Sequence, residues 1–300
     1  MNTFLRSIGF GNLKSQKDVE SLILKVISKA VNVEKYTQKD GNTYIEYEMP
    51  VSSSCGIKVA GEEDPEGKFH FSHYFPYIKA PMYLKPSPDN TEEEVYINKK
   101  IDTDGYTGMC DDYRLGICLI FYLQNVADYY NRFGEVKMVS DQEVWFGALA
   151  EAGKVILPTM NIAEEQLKQK KEQSKKNKLI AEAKKGNMEA IENLTINEID
   201  NYAKASMRIK NEDLLSIVDT SITPSGSESE MYNIMGNILS VNSETNVLTN
   251  EKIWVMQVEC NEILIHVSIN SSDLMGEPEA GRRFRGNVWL QGKLIKTNSD

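Results

Sequence analysis

The sequence predicts an α+β protein: an N-terminal α+β domain, a helical connector, and a small C-terminal β-barrel-like module of the oligonucleotide/oligosaccharide-binding (OB) type. Three observations predict it. Apolar residues alternate at a spacing of two over most of the chain, the strand period. Helical spacing is confined to a segment near the N-terminus, a short stretch after Asn125, and residues 162–210. Within that last region, residues 168–185 carry eight lysines against two glutamates, a composition break that separates the two β-rich parts. With 300 residues, the chain exceeds one ordinary domain of roughly 100–150 residues. The expected boundaries are 1–160, 161–210 and 211–300.

Ser15-x-x-Asp18 is a capping box that opens the first helix, and Val19, Leu22, Ile23, Val26, Ile27 and Ala30 form its apolar stripe. Tyr44–Met49 and Lys68–Phe75 alternate as strands, with a Gly/Pro/Glu turn at 61–67 between them. Pro76, Pro81, Pro86 and Pro88 mark 76–90 as an irregular crossing. Glu94–Ile101 reads as a strand. The continuous apolar run Ile117–Leu123 reads as a strand at the centre of a sheet, followed by a helix that Asn125 caps. Val136–Leu149 and Lys154–Leu157 are expected to pair through a hairpin at Glu151-Ala152-Gly153.

The connector reads as a lysine-rich helix broken at Gly186-Asn187 and resumed by a capping box at Thr195-x-x-Glu198. Strands at Tyr232–Val241, Ile253–Cys260, Ile263–Ile269 and Asn287–Leu294 follow, with Leu214–Ile222 as a further candidate. Asn261-Glu262 forms a tight turn between the second and third. No internal repeat is evident.

Composition narrows the function classes. A net charge of −10 argues against a whole-surface nucleic-acid or membrane binder, and no apolar run reaches the roughly 18 residues that span a bilayer. The four cysteines share no framework or Cys-x-x-Cys spacing, which suits reduced thiols and a cytoplasmic location. His70 and His73 stand three apart on a strand and so face opposite ways, and His266 has no partner at zinc spacing. Asp102-x-Asp104-Gly105 fails as a calcium loop because Thr107 and Tyr113 occupy the required glycine and glutamate positions. Gly9-Phe10-Gly11 lacks the rest of a dinucleotide fingerprint. No metal and no cofactor is expected.

Two candidate sites remain. On the last strand, Arg283, Arg285, Asn287, Trp289, Gln291 and Lys293 share one face, opposite Phe284, Val288, Leu290 and Leu294. Guanidinium and indole groups stack bases and neutralise phosphates, and Trp254 and His266, also on strands, can join them if the sheet curls. Residues 230–300 hold nine acids and six bases, so an arginine-lined protein interface fits this face better than nucleic acid. The alternative is a small-molecule or enzyme site in the 108–114 loop, built from Cys110, Asp111, Asp112 and Arg114 beside the central strand. Cys110 there lacks an evident base.

The runs Gly116–Asn125 and Gly276–Gly292 resemble an uncharacterised family of cytoplasmic proteins from anaerobic Gram-positive bacteria. The resemblance covers most of the chain and carries over no activity or site residue. The sequence therefore leads to a non-enzymatic binding or adaptor protein, with a protein partner favoured over nucleic acid and no membrane partner.

Overall fold

The computed structural model describes residues 3–13, 15–79, 93–100, 105–112, 117–157, 187–194, 220–226 and 229–295, with single positions 175, 179, 182 and 183. The chain is mixed α+β and mostly strand. A 3₁₀ turn at Thr3–Ile8 precedes helix α1, Gln16–Ser28. Both bonds of the α1 capping box form, Asp18 N–H to Ser15 Oγ and Ser15 N–H to Asp18 Oδ2. Of the expected connector, residues 188–194 are helical, while 161–174 and 195–210 lie outside the described residues.

A smaller antiparallel sheet follows α1, in the order β1 (Asn32–Thr37), β2 (Thr43–Pro50), β3 (Cys55–Glu63), β4 (Phe69–Ile78). Two features depart from the sequence reading. Strand β3 occupies part of the expected turn, and β4 continues through Pro76, opposite Ile57. The proline is tolerated because β4 is the edge strand of this sheet.

The large sheet holds β5 (Glu93–Lys99), β6 (Tyr106–Asp112), β7 (Ile117–Leu123), β8 (Met138–Ile156), β9 (Ser221–Pro224), β10 (Met231–Thr245), β11 (Lys252–Cys260), β12 (Ile263–Asn270), β13 (Leu274–Met275) and β14 (Arg283–Ile295). Helix α2, Val126–Phe133, joins β7 to β8. The hairpin expected at 151–153 is absent: β8 runs unbroken, because β14 pairs with it from Ile295↔Glu143 to Arg283↔Ile156. The extra residue at Glu151 is taken up as a β-bulge, with Asn287 opposite Ala152 and Val288 opposite Ala150. Strands from either side of residues 161–210 therefore share one sheet.

The β8–β14 ribbon closes two circuits of five strands. One runs β8–β12–β11–β10–β14, the other β8–β5–β6–β7–β14. In the first, β12 is parallel to β8 and β10 antiparallel to β14. In the second, β7 is parallel to β14 and β5 antiparallel to β8. The unit β5–β6–β7–β8 is thus repeated as β10–β11–β12–β14, the two units exchanging their fourth strands. A local two-fold through the Gly147↔Gln291 pair carries Val144-Trp145 onto Val288-Trp289. The sequence itself shows no linear repeat. The repeat lies in strand order and in a few matched side chains, which a linear search does not see.

Alternation on the ribbon assigns its two faces. Phe146, Ala148, Ala150, Phe284, Val288, Leu290 and Leu294 join one buried cluster that extends through both circuits. Trp145, Leu149 and Trp289 face the other way and pack, with Tyr122, against Ile57, Val59, Phe75 and Ile78 of the smaller sheet and Leu22 and Val26 of α1. Gly108 and Gly292 flank the Phe121 ring so closely that a Cβ on either would overlap it.

Candidate functional site

The predicted residues are dispersed. Arg283 is buried, and its Nε and Nη2 both donate to the Leu157 carbonyl (3.2 and 3.1 Å). Trp289 is buried between Phe4 (5.3 Å, stacked) and Tyr122 (4.9 Å). Trp254 is half-buried, with Lys252 Nζ 3.8 Å above its ring. Arg285 alone of the four is exposed. Residues 108–112 are not a loop but part of β6, paired between β5 and β7. Cys110 is 4% exposed and sits in the apolar cluster, while Asp111 is exposed. The side chain of Asp112, and Arg114 as a whole, lie outside the described residues. Of the histidines, His70 pairs with Asp64 (2.9 Å) and His73 with the Tyr122 hydroxyl (3.0 Å).

What the fold does assemble is a polar row across the large sheet. Cross-strand pairing sets Ser240 opposite Gln257, Gln257 opposite His266, His266 opposite Gly147, Gly147 opposite Gln291, and Gln291 opposite Tyr122. Directly paired residues share a face, so these side chains form one line. The polar side chains of the row are drawn from five strands, so no linear motif announces it.

One half of the row is consumed internally. The buried Gln291 donates to Pro76 O (2.8 Å) and accepts from Gln124 Nε2 (2.7 Å). His73 and Phe75 of β4 cover Tyr122. Beside this half lies the ion pair Lys58–Glu46 (2.9 Å), with side chains 8% and 1% exposed, and Lys58 also donates to Gln124 O (2.9 Å). Burial raises the Glu46 pKa against the pull of Lys58. Burial lowers that of Lys58, but Glu46 and its neighbouring glutamates outweigh it and the ammonium stays charged.

The other half opens into a cavity of about 370 Å³, within the ~300–1,000 Å³ range of ligand sites. His266 and Gln257 line it, with Ile78, Val255 and Met256 supplying apolar wall. The rim comes from Ser53, Lys79, Ser240 and Asn242. Its loop is held from two sides. Glu244 of β10 accepts both the N–H (2.9 Å) and the hydroxyl (2.5 Å) of Ser54, and the Lys79 N–H donates to Ser54 O (2.7 Å). An irregularity in β10 between Ile238 and Ser240 shifts its register with β11 where the rim begins, and pairing resumes from Ser240 to Thr245.

The floor has a fixed hydrogen-bond direction. Burial pulls the His266 pKa down to about 4, so the imidazole is neutral at pH 7, and its buried Nδ1 has no hydrogen-bond partner among the described residues. Gln257 Nε2 lies 3.0 Å from His266 Nε2 and can only donate to it. Gln257 Oε1 then accepts from Ser240 Oγ at 2.9 Å. One amide hydrogen of Gln257 and the lone pairs of Ser240 are left over by these bonds. Lys79 is the one charged side chain in the lining, and it pairs with no acid among the described residues. The arrangement can orient a small polar molecule. It offers no activated nucleophile, since Cys55 is buried nearby with its thiol pushed up to about 12.

A family model described as "Domain of unknown function, E. rectale Gene description (DUF3881)" matches residues 5–292, and the chain belongs to that family. No curated protein and no solved structure matches it.

Proposed function

We propose that this DUF3881 protein is a non-enzymatic binding protein whose ligand is a small polar molecule seated over His266. The observation that carries the reading is the half-open polar row. Ser240, Gln257 and His266 form a directed hydrogen-bond chain on the floor of a cavity of about 370 Å³. A buried histidine held neutral supplies shape and hydrogen bonding without charge, which suits recognition rather than proton transfer near neutral pH. The five-stranded circuit of β8, β12, β11, β10 and β14 acts in this reading as a barrel-like, OB-like module, with its binding edge at the β10–β11 irregularity. A bacterial cytoplasmic setting belongs to the same reading, supported by four cysteines that all remain free thiols. No helix among the described residues is long and apolar enough to cross a membrane.

Native mass spectrometry of gently purified protein tests it, alongside ¹⁵N-HSQC screening of the full chain against a small-fragment library. A co-purifying small mass, or fragment shifts at residues 255–257 and 266, is expected in the wild type and lost in Ser240→Phe, which fills the cavity from its rim. Protein that carries nothing and shows no fragment shift at those positions overturns the reading.

A further inference from the structure

The local two-fold through Gly147 and Gln291 makes His266 the counterpart of Tyr122: His266 stands opposite Gly147, and Tyr122 stands opposite Gln291. The surroundings correspond as well. Trp145 lies 5.2 Å from His266, and Trp289 lies 4.9 Å from Tyr122. The polar tip of each ring has one partner, Gln257 Nε2 for His266 and His73 Nε2 for Tyr122, both at 3.0 Å. One difference remains. The Phe75 ring packs on Tyr122 at 4.8 Å, and the only ring against His266 among the described residues is Trp145. His266 instead lines the cavity.

We infer that the cavity takes a small aromatic carboxylate, whose ring occupies against His266 the position Phe75 holds against Tyr122, with its charge at Lys79. The inference rests on the binding reading above and adds the ligand class. The ring follows from the vacant half of a matched pair. The single negative charge follows from Lys79 as the one cation of the lining, with no acid partner among the described residues. Glu244 is held on the loop by Ser54 through both oxygens, and no ion pair joins it to Lys79 among the described residues. The free Gln257 N–H and the Asn242 amide give the carboxylate further donors.

Benzoate, cyclohexanecarboxylate and benzamide are the probes, titrated into the ¹⁵N-labelled full chain. Benzoate is expected to shift the amides of 255–257 and 266 and to bind about tenfold more tightly than the saturated acid, the scale of one aromatic contact. Lys79→Met is expected to erase the preference for benzoate over benzamide while leaving the HSQC fingerprint folded. Equal binding of cyclohexanecarboxylate overturns the ring, and equal binding of benzamide overturns the charge. Either result leaves the cavity itself as a binding site. A co-purifying non-aromatic molecule with no response to benzoate overturns this inference alone, and an empty, unresponsive protein overturns both.

Discussion

The neutral state of His266 makes stability fall on mild acidification by an amount that can be worked out. In the native protein its pKa is about 4, against the ordinary 6.5, because the imidazolium would be buried. The unfolded chain therefore binds a proton that the native state refuses. Stability is lost as pH falls through 6.5, and the loss levels off below 4. Linkage over that interval costs about 3 kcal/mol in full, and about 2.5 kcal/mol between pH 7 and roughly pH 4.5. Urea denaturation at those two pH values, on wild type and on His266→Gln, isolates the term. Carboxylates with lowered pKa values, such as Glu48 and Asp64, come into play only at the acid end of this range and contribute equally to both proteins. The variant is expected to lose less stability on acidification by about 2.5 kcal/mol. Equal losses, or an NMR titration of His266 near its ordinary midpoint, would refute the argument.

Lys58→Met leaves Glu46 buried without its cation, and chemical denaturation should register a loss of about 3–5 kcal/mol, much of it recovered when Glu46→Leu is added. Gly292→Ala pushes a methyl into the Phe121 ring and should cost about 1–3 kcal/mol, with Phe121→Leu in the same chain relieving part of it. Arg283→Ala removes two charged hydrogen bonds from the Leu157 carbonyl, so hydrogen exchange at 155–157 should accelerate with a loss of about 1–2 kcal/mol. The exposed Arg285→Ala should stay within about 0.5 kcal/mol of wild type in the same denaturation series, and a larger loss would show that it too is a structural residue.

The legible parts of the fold were those fixed by local chemistry. Ser15 and Asp18 cap α1 as their spacing requires. Asn261 and Glu262 both adopt positive φ in the two-residue turn between β11 and β12. The parity of the last strand put Phe284 and Trp289 on opposite faces, and they join different clusters. Asn125 precedes α2 as expected, yet its side chain makes no cap bond. It holds Leu294 of β14 instead, through both its amide nitrogen and its oxygen. The illegible parts depend on distant partners. Lys58 disguises β3 because its charge is matched by Glu46, on the neighbouring strand. Gly108 and the acids of β6 read as a loop because the residue that fills the glycine's space, Phe121, comes from β7. Arg283 read as a partner-binding residue because nothing local reveals that it grips Leu157, 126 positions away.

The candidate site was hidden for a related reason: it arises from broken symmetry between two similar units. Each unit alone would present its third strand, β7 or β12, with a ring and a polar tip on the outer face. The smaller sheet, formed by residues 32–78, precedes the first unit, and its edge strand β4 lies over Tyr122 and Gln291. Strand β4 ends at Ile78, and Ile78 and Lys79 become cavity wall beside His266. The same strand thus seals one half of the polar row and borders the other. If this is the origin of the site, the two halves should differ in dynamics as well as in packing. Protection against hydrogen exchange should be high at Tyr122 and Gln291, lower at Ser240 and Gln257, and should rise at the latter two alone when a ligand binds. Uniform protection along the row in the unliganded protein would mean that both halves are equally closed, and the cavity would then have no claim to function.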